Sequence, residues 1–336
     1  MSTVIFFVLS YLCCIVMGKE LKLVIDNDAG GDDAMAIFLA LLYEKHFNGP
    51  KVVALTTVKG NTKEENVYIN NQKILKVANR QDVPIYRGSQ NSLVITPDGG
   101  NYFGFDGLGD AGDTYTDLVP CKEERAPLAL IELSKKYKDE LTVITIGSLT
   151  NIAVAVKLDP EFLNRIAHLY VGAGHISSDE HPDPEFNVSM DVEAYHVIAQ
   201  NANPDKVTFF PFSQVMKHLN LSTAWREQVL GAIDTDIMKA QNKYEQVVLK
   251  LSDRWQALDP ATVAAVIKPD LVDEFQYTKN GVILCGDKRG VTTNDFVPKL
   301  EANARIIYSV KEKEYKQFLL EVFSADIKFR NLVISK

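Results

Sequence analysis

Residues 21–43 read LKLVIDNDAGGDDAMAIFLALLY, and this stretch decides the fold. Residues 21–25 form a short apolar run rich in β-formers, which predicts a buried strand, and residues 34–43 form an apolar run of helix formers. Two glycines and four aspartates lie between the two runs and predict a tight turn from strand to helix. A strand that leads directly into a helix in this way is typical of α/β proteins.

The same alternation continues along the chain. Further strands are predicted at residues 52–58, 84–87, 141–146, 166–171 and 206–210. Helices are predicted at residues 63–78, 127–137, 151–157, 191–201, 221–251 and 258–267. Because strands alternate with helices, we expect a mostly parallel central sheet with helices on both faces. No linker or repeat divides the chain, so a single domain is expected over residues 19–336.

Length and charge limit the possible partners. A chain of 336 residues with 46% hydrophobic residues can bury a large core. The net charge of -8 argues against a nucleic-acid polymer or an anionic membrane as partner, because both are bound through basic surfaces. A small molecule or a metal ion remains compatible with this charge.

The first residues of the chain resemble a targeting segment. Residues 1–18 contain an uncharged apolar run at 4–16 that ends at the small residue Gly18, which predicts a signal peptide and a secreted, extracellular protein. The alternative is an uncleaved membrane anchor or a buried first helix. After cleavage the chain would keep only Cys121 and Cys285, which could form one disulfide or remain thiols.

Four of the eight residues at positions 26–33 are aspartates, namely Asp26, Asp28, Asp32 and Asp33. They follow the first strand, where open α/β sheets bind ligands. Carboxylates so close together repel each other unless a cation lies among them, and oxygen ligands favour Ca²⁺ or Mg²⁺. The two glycines would let Asp28 and Asp33 converge on one ion while Asp32 points elsewhere. The alternative, capping of the following helix, accounts for one or two of the acids only.

Residues 24–37, VIDNDAGGDDAMAI, are similar to the aspartate signature of the nucleoside hydrolase family, D-x-D-P-G-x-D-D, with Ala29 in place of the proline. Eight further motifs follow in the family's order: TTVKGN (56–61), DGLGD (106–110), IGSLTNIA (146–153), VGAG (171–174), PEFN (184–187), DVEA (191–194), LDPA (258–261) and KRGVTTND (288–295). Each motif is weak alone, but together they are specific. The resemblance implies a Rossmann-like nucleoside hydrolase fold and the calcium-dependent hydrolysis of ribonucleosides to free base and ribose.

The resemblance also implies a role for individual residues. Asp28, Asp33 and Asp259 would bind Ca²⁺ through their side chains, and the main-chain carbonyl of Ile146 would add a further oxygen. Asp28 would also take the proton of the attacking water, which a bound cation acidifies.

On the sugar side, the resemblance implies that Asp32, Asn61, Glu185 and Asn187 bind the ribose hydroxyls. Asp32 and Asn61 would lie near the 2′ and 3′ oxygens, and Asp179 stands where the family often has an asparagine near the 5′ hydroxyl. The transition state would resemble an oxocarbenium ion, which carboxylates beneath the sugar stabilise.

The residues expected around the base depart from the family pattern. Members that accept pyrimidines commonly carry histidines where this chain has Phe103 and Leu258. Stacking of the base on Phe103, Tyr102 and Trp255 would instead favour a purine nucleoside such as inosine, with uridine as the alternative. Two loop histidines, His175 and His181, remain candidates for a general acid.

Two other functions are compatible with parts of the sequence. A phosphatase of the haloacid dehalogenase type also begins with D-x-D after a strand, but its pattern does not include the adjacent pair Asp32 and Asp33. A secreted nucleoside-binding protein without catalysis is the second, because both histidine positions are lost. Since family members are usually dimers or tetramers, a homodimer or homotetramer is expected.

Overall fold

Strands and helices alternate through residues 21–327, the part of the chain that this computed structural model describes. The strands are β1 (Lys22–Asn27), β2 (Lys51–Thr57), β3 (Ile85–Tyr86), β4 (Leu141–Thr145), β5 (His168–Gly172), β6 (Val207–Phe210), β7 (Leu221–Ser222), β8 (Arg254–Trp255), β9 (Val272–Val282), β10 (Thr292–Phe296) and β11 (Ala304–Val310). The helices are α1 (Gly31–Phe47), α2 (Glu64–Val77), α3 (Ala126–Lys136), α4 (Thr150–Leu158), α5 (Phe162–Arg165), α6 (Phe186–Met190), α7 (Val192–Asn201), α8 (Phe212–His218), α9 (Thr223–Trp225), α10 (Asp236–Tyr244), α11 (Leu258–Ile267) and α12 (Glu312–Phe323). The predicted signal peptide at residues 1–18 lies outside the described residues.

Nine of these strands form one sheet in the order β10-β9-β11-β6-β5-β4-β1-β2-β3. Neighbours from β11 to β3 pair in parallel, whereas β9 pairs antiparallel with both β10 and β11. The expected α/β fold with a mostly parallel sheet is therefore confirmed. The antiparallel strands at one edge were not expected from the sequence.

The site is positioned by the point at which the strand order reverses. β1 pairs with β2 on one side and with β4 on the other, so the chain first runs outward through β2 and β3 and then returns to β4. The loops that follow β1 and β4 consequently diverge, and open α/β sheets bind their ligands in the crevice between such loops.

Two helices are almost completely buried and bring distant segments together. All ten residues of α11 are buried, and α1 is buried from Gly31 to Leu42 apart from Asp32. A helix that is apolar on all sides requires neighbours on all sides, and the two helices pack against each other in the main core. This packing places the first turn of α1 beside the first turn of α11, although more than 200 residues separate them in sequence.

The single helix expected at residues 221–251 was wrong. This segment contains β7, α9, a π-helical turn at Arg226–Leu230, α10 and a 3₁₀ turn at Val248–Lys250. New helix starts divide it, because the hydroxyls of Ser222 and Thr235 accept hydrogen bonds from the backbone N–H groups of Trp225 and Met238.

Two further observations concern membrane-spanning helices and the cysteines. Among residues 21–327, no helix is both long enough and apolar enough to cross a membrane. Cys121 is partly buried and Cys285 is exposed, and both are free thiols.

Candidate active site

Three carboxylates converge where the first turns of α1 and α11 meet. One oxygen from each of Asp32, Asp33 and Asp259 lies within 4.8 Å of the others. Asp33 and Asp259 are buried, whereas Asp32 keeps partial exposure. The structure therefore brings Asp33 and Asp259 together, as the family resemblance implied. The expectation that Asp32 points elsewhere was wrong, because one of its carboxylate oxygens belongs to the converging set.

Asp28 lies beside this group and is held by hydrogen bonds. Its backbone N–H donates to Asp33 Oδ1 at 3.2 Å. Its two carboxylate oxygens accept from Asn61, one from the backbone N–H at 2.7 Å and one from the side-chain amide at 3.1 Å. Asn61 thus fixes the orientation of the Asp28 carboxylate beside the converging oxygens.

Asp33 caps α1 and also belongs to the converging set, although these two roles were considered as alternatives from the sequence. Its Oδ2 accepts from the backbone N–H of Gly30 at 2.7 Å, which caps the start of α1, and from the Asn61 amide at 3.2 Å. The same carboxylate lies in the converging set. Capping and participation in the site are therefore compatible at this position.

The turn before α1 differs from the family signature in its backbone. Ala29, which stands at the family's proline, has a φ of 39°. A proline ring holds φ near -65°, so proline cannot adopt this conformation. The substitution and the left-handed backbone at Ala29 are therefore consistent with each other.

Burial raises the pKa of every carboxyl in this cluster. It raises the pKa of Asp28 to about 7 and that of Asp32 to about 8, and neighbouring negative charges add to the effect. Burial, together with the charges of the nearby aspartates, also raises the pKa of Asp33 and Asp259 well above the ordinary range. Within residues 21–327, no lysine or arginine forms an ion pair with these four carboxylates.

This environment suits a hard divalent cation. The donors are carboxylate oxygens, which Ca²⁺ and Mg²⁺ prefer, and the Ile146 carbonyl lies at the same end of the sheet. Mutually repelling carboxylates in a poorly solvated cleft are stabilised in their charged forms by a cation among them. The residues present therefore fit the metal ion that the sequence predicted.

Asp26, in β1, connects the elements next to the cluster. Its carboxylate is buried and accepts hydrogen bonds from Thr56 Oγ1 at 2.5 Å and from the Asn151 amide at 2.8 Å. Burial raises its pKa to about 7, and these hydrogen bonds oppose the increase. Because Asn151 also donates to the Thr57 carbonyl at 2.8 Å, Asp26 ties β1 to β2 and α4.

Glu185 and Asn187 lie at the start of α6 and face the same cleft. Glu185 caps this helix, since its carboxylate accepts from the backbone N–H groups of Asn187 and Val188, at 3.0 and 3.2 Å. The Asn187 amide donates to the carbonyls of Ile146 and Gly172, at 3.1 and 3.0 Å. Both side chains are thus fixed by the ends of β4 and β5.

A cavity of about 370 Å³ opens over the carboxylates. Its polar lining consists of Asp32, Asn61, Glu185, Asn187, Gln256 and Asp259. Its apolar lining consists of Tyr102, Phe103, Ile146, Phe186, Phe212 and Leu258. This volume is in the range of small-molecule sites, and the polar and aromatic groups offer contacts to a ligand with a hydroxylated part and a flat part.

Two predicted residues lie elsewhere. Asp179 is exposed on the loop after β5 and is not part of the cavity wall. Trp255 lines a smaller adjoining cavity, where its indole N–H donates to Glu245 at 2.6 Å. Glu245 in turn forms a buried ion pair with Arg226, 2.6 Å apart. The Trp255 ring is consequently held in place next to the main cavity.

The two loop histidines also lie outside the cavity lining. His175 and His181 stack with ring centroids 4.9 Å apart, and His175 packs against Phe212. Burial, together with the adjacent His181, lowers the pKa of His175 to about 4. His175 is therefore neutral near pH 7, which makes it a poor proton donor there.

Three cavity residues were missed by the sequence analysis, namely Phe186, Phe212 and Gln256. Phe186 lies inside the PEFN motif, and Gln256 directly precedes the LDPA segment, so proximity to these motifs was the available signal. Phe212 had no such signal, because its segment resembles ordinary core.

Gly60→Ala tests whether the carboxylate cluster depends on close backbone approach. A Cβ at position 60 would clash with the Asp28 carboxylate, so we expect a loss of about 1–3 kcal/mol in the free energy of unfolding, measured by urea denaturation. Gly100→Ala is the control, because the nearest neighbours of its Cβ would be the Phe186 ring at 3.3 Å and the Asn61 carbonyl oxygen at 3.8 Å, and neither clashes as the Asp28 carboxylate does. Equal losses in the two variants would contradict this account of Gly60.

Comparison with known proteins identifies the family. Residues 23–317 match the family model described as inosine-uridine preferring nucleoside hydrolase. The chain is 29% identical over 299 residues to the probable uridine nucleosidase 2 of Arabidopsis thaliana, covering 82% of this chain and 86% of that protein. It is 28% identical over 299 residues to the inosine-uridine preferring nucleoside hydrolase of Leishmania major, covering 86% of this chain and 92% of that protein.

Two solved structures of nucleoside hydrolases have the same fold as this chain. A plant nucleoside hydrolase superimposes with a TM-score of 0.79 at 26% identity, covering 91% of this chain and 99% of that chain. An inosine-guanosine nucleoside hydrolase shares the fold with a TM-score of 0.80 at 24% identity, covering 90% and 98%. The family match extends over most of the described chain and includes the carboxylate cluster. The chain belongs to the inosine-uridine preferring nucleoside hydrolase family, enzymes that hydrolyse the N-glycosidic bond of nucleosides.

Proposed function

We propose that this enzyme is a calcium-dependent ribonucleoside hydrolase that acts on purine nucleosides such as inosine. The observation that carries the proposal is the convergence of Asp32, Asp33 and Asp259 at one cavity that also has an aromatic wall. The carboxylates suit a cation and the sugar, while the aromatic rings suit a base.

The ribose would lie over the carboxylates. Asp32 and Asn61 would hold its 2′ and 3′ hydroxyls, and Glu185 and Asn187, which line the same cavity, would bind the remaining oxygens. The side chains of Asp32, Glu185 and Asn187 form hydrogen bonds with backbone groups, and the Asn61 amide donates to the carboxylates of Asp28 and Asp33. The sugar would therefore be bound by preorganised groups.

Asp28 would take the proton of the attacking water. Its carboxylate is oriented by two hydrogen bonds from Asn61 and lies next to the converging oxygens. Asp28, Asp33 and Asp259, with the Ile146 carbonyl, would hold Ca²⁺, which supplies positive charge that acidifies water at the site. The carboxylates beneath the sugar would stabilise the positive charge that develops at the anomeric carbon.

The base would stack on the aromatic wall. Phe103 and Tyr102 meet edge to face, with centroids 5.0 Å apart, at the cavity wall, and Phe186 and Phe212 line the same cavity. Neither Phe103 nor Leu258 can donate a proton, so leaving-base activation would depend on stacking and on protonation of the base by solvent. A purine offers the larger ring and the more basic nitrogen for this route, which is why inosine is the favoured substrate.

Uridine is the second candidate substrate. Its support is that relatives at 28–29% identity include proteins named as uridine nucleosidases and as inosine-uridine preferring hydrolases.

Location and assembly are further parts of the proposal. The apolar run at residues 4–16, followed by Gly18, supports secretion to the extracellular space after removal of residues 1–18. The hydrolase domain would then comprise residues 19–336. Assembly as a homodimer or homotetramer is proposed by analogy with the family.

Release of free base tests the proposed reaction. We expect the purified protein to release hypoxanthine from inosine, as followed by chromatography, and to lose this activity in a calcium chelator. Added Ca²⁺ should restore it. Inosine that remains intact with Ca²⁺ present, while the protein still binds it, would show a nucleoside-binding protein instead of a hydrolase.

Two matched substitutions test the roles of the aspartates in the same assay. Asp28→Asn should reduce the rate by about 100-fold or more, because it removes the proton acceptor but keeps the shape of the side chain. Asp179→Asn should leave the rate within about twofold, because the exposed Asp179 lies outside the cavity wall. A nearly unchanged rate in Asp28→Asn together with a large loss in Asp179→Asn would exclude the assigned roles.

A comparison of inosine with 2′-deoxyinosine tests how the sugar is bound. Loss of the 2′ hydroxyl would leave the polar groups of Asp32 and Asn61 without a partner, so we expect kcat/KM to fall by about 100-fold or more. Comparable values for the two substrates would show that these residues do not hold the 2′ oxygen.

A further inference from the structure

The lining of the cavity contains two chemically different groups of side chains, and Gln256 lies near the aromatic one. The carboxylates and amides proposed to bind the sugar form the first group, and the aromatic rings form the second. Gln256 lines this main cavity and also the smaller adjoining one, which Tyr102 and Phe103 share. Its side chain is thus next to the aromatic wall on which the proposed function places the base.

The carboxamide of Gln256 makes no hydrogen bond to another protein group within residues 21–327, unlike the other amides of the cavity. Asn61 donates to Asp28 and Asp33, and Asn187 donates to two backbone carbonyls. A carboxamide offers both a donor and an acceptor, and both groups of Gln256 are therefore available to a ligand. The side chains of Phe103, Phe186, Phe212 and Leu258, which line the same cavity, offer no such groups.

The backbone on both sides of Gln256 is fixed. Trp255 belongs to β8, and its indole is held by the buried Glu245, which is paired with Arg226. Ala257 is the N-cap of α11, and Asp259 of the carboxylate cluster lies in its first turn. A side chain on such a short connection is held at a defined distance from the sugar site, as a specific contact requires.

We propose that Gln256 is a specificity-determining residue that reads the edge of the nucleobase, an inference that rests on the proposed function. Its amide NH₂ donates to the exocyclic oxygen of a lactam base, and its amide oxygen accepts the adjacent ring N–H. Hypoxanthine, guanine and uracil all present this pair of groups. One residue thereby accommodates purine and pyrimidine nucleosides, while stacking on the aromatic wall supplies the remaining affinity.

Calorimetric binding of two inert ligands to the calcium-loaded protein tests this role. Formycin B is a C-nucleoside isostere of inosine whose carbon–carbon bond resists hydrolysis, and 1,4-anhydro-D-ribitol is the sugar without a base. In Gln256→Met, we expect Kd for formycin B to rise about tenfold or more, because two hydrogen bonds are lost. Kd for anhydroribitol should stay within about twofold. The control Gln228→Met changes an exposed glutamine outside the cavity and should leave both values unchanged.

The binding results test the role of Gln256 independently of whether the protein hydrolyses inosine. An unchanged Kd for formycin B in Gln256→Met overturns the role of Gln256, whether or not inosine is hydrolysed. An equal rise for both ligands also overturns it, because the residue would then shape the whole cavity. A selective loss of formycin B binding in Gln256→Met supports it. This holds even if the wild-type protein does not release base from inosine, a result that would contradict the hydrolase proposal. Failure of wild-type protein to bind either ligand overturns both.

Discussion

Four buried carboxylates repel one another in this structure, and the surrounding fold has to hold them together. Asp28, Asp32, Asp33 and Asp259 lie close together in a poorly solvated cleft, and burial raises the pKa of each. Folding must hold these groups together against their mutual repulsion, which costs free energy that the surrounding core has to offset. Such an arrangement persists in an enzyme because a bound cation and a cationic transition state can both use it.

The fold provides the rigidity that this arrangement requires. The two buried helices α1 and α11 pack together and present their first turns at the point where the strand order reverses. Asn61 orients Asp28, and Asp26 ties the neighbouring strand ends to one another. Hydrogen bonds within the protein thus hold several polar side chains of the site, whereas the carboxamide of Gln256 makes no hydrogen bond to another protein group within residues 21–327.

The sequence predicted the parts of the structure that depend on local patterns. Alternating apolar runs predicted the parallel strands, and the cluster of aspartates at residues 26–33 predicted a cation site with Asp28 and Asp33, to which the family resemblance added Asp259. The resemblance thereby connected Asp33 and Asp259, which are more than 200 positions apart.

What the sequence could not predict depends on tertiary geometry. Asn61 donates to both oxygens of Asp28, and this contact depends on the path of the loop after β2. The place of Asp32 in the converging set depends on how α1 and α11 pack together. The segment at residues 221–251 has helical composition, but local caps at Ser222 and Thr235 divide it. The role inferred for Gln256 depends on its place in the cavity wall, since a glutamine in a loop carries no signal of its own.

Urea unfolding of the wild type and of Asp259→Asn, each with Ca²⁺ and with a chelator, measures whether the buried carboxylates bind a cation. If the buried carboxylates repel one another and bind a cation, the wild type gains stability from Ca²⁺ and the variant gains little. In the chelator, we expect the variant to have the larger free energy of unfolding of the two proteins, because one of the repelling charges has been removed. An equal response of both proteins to Ca²⁺, or a less stable variant in the chelator, would contradict the account.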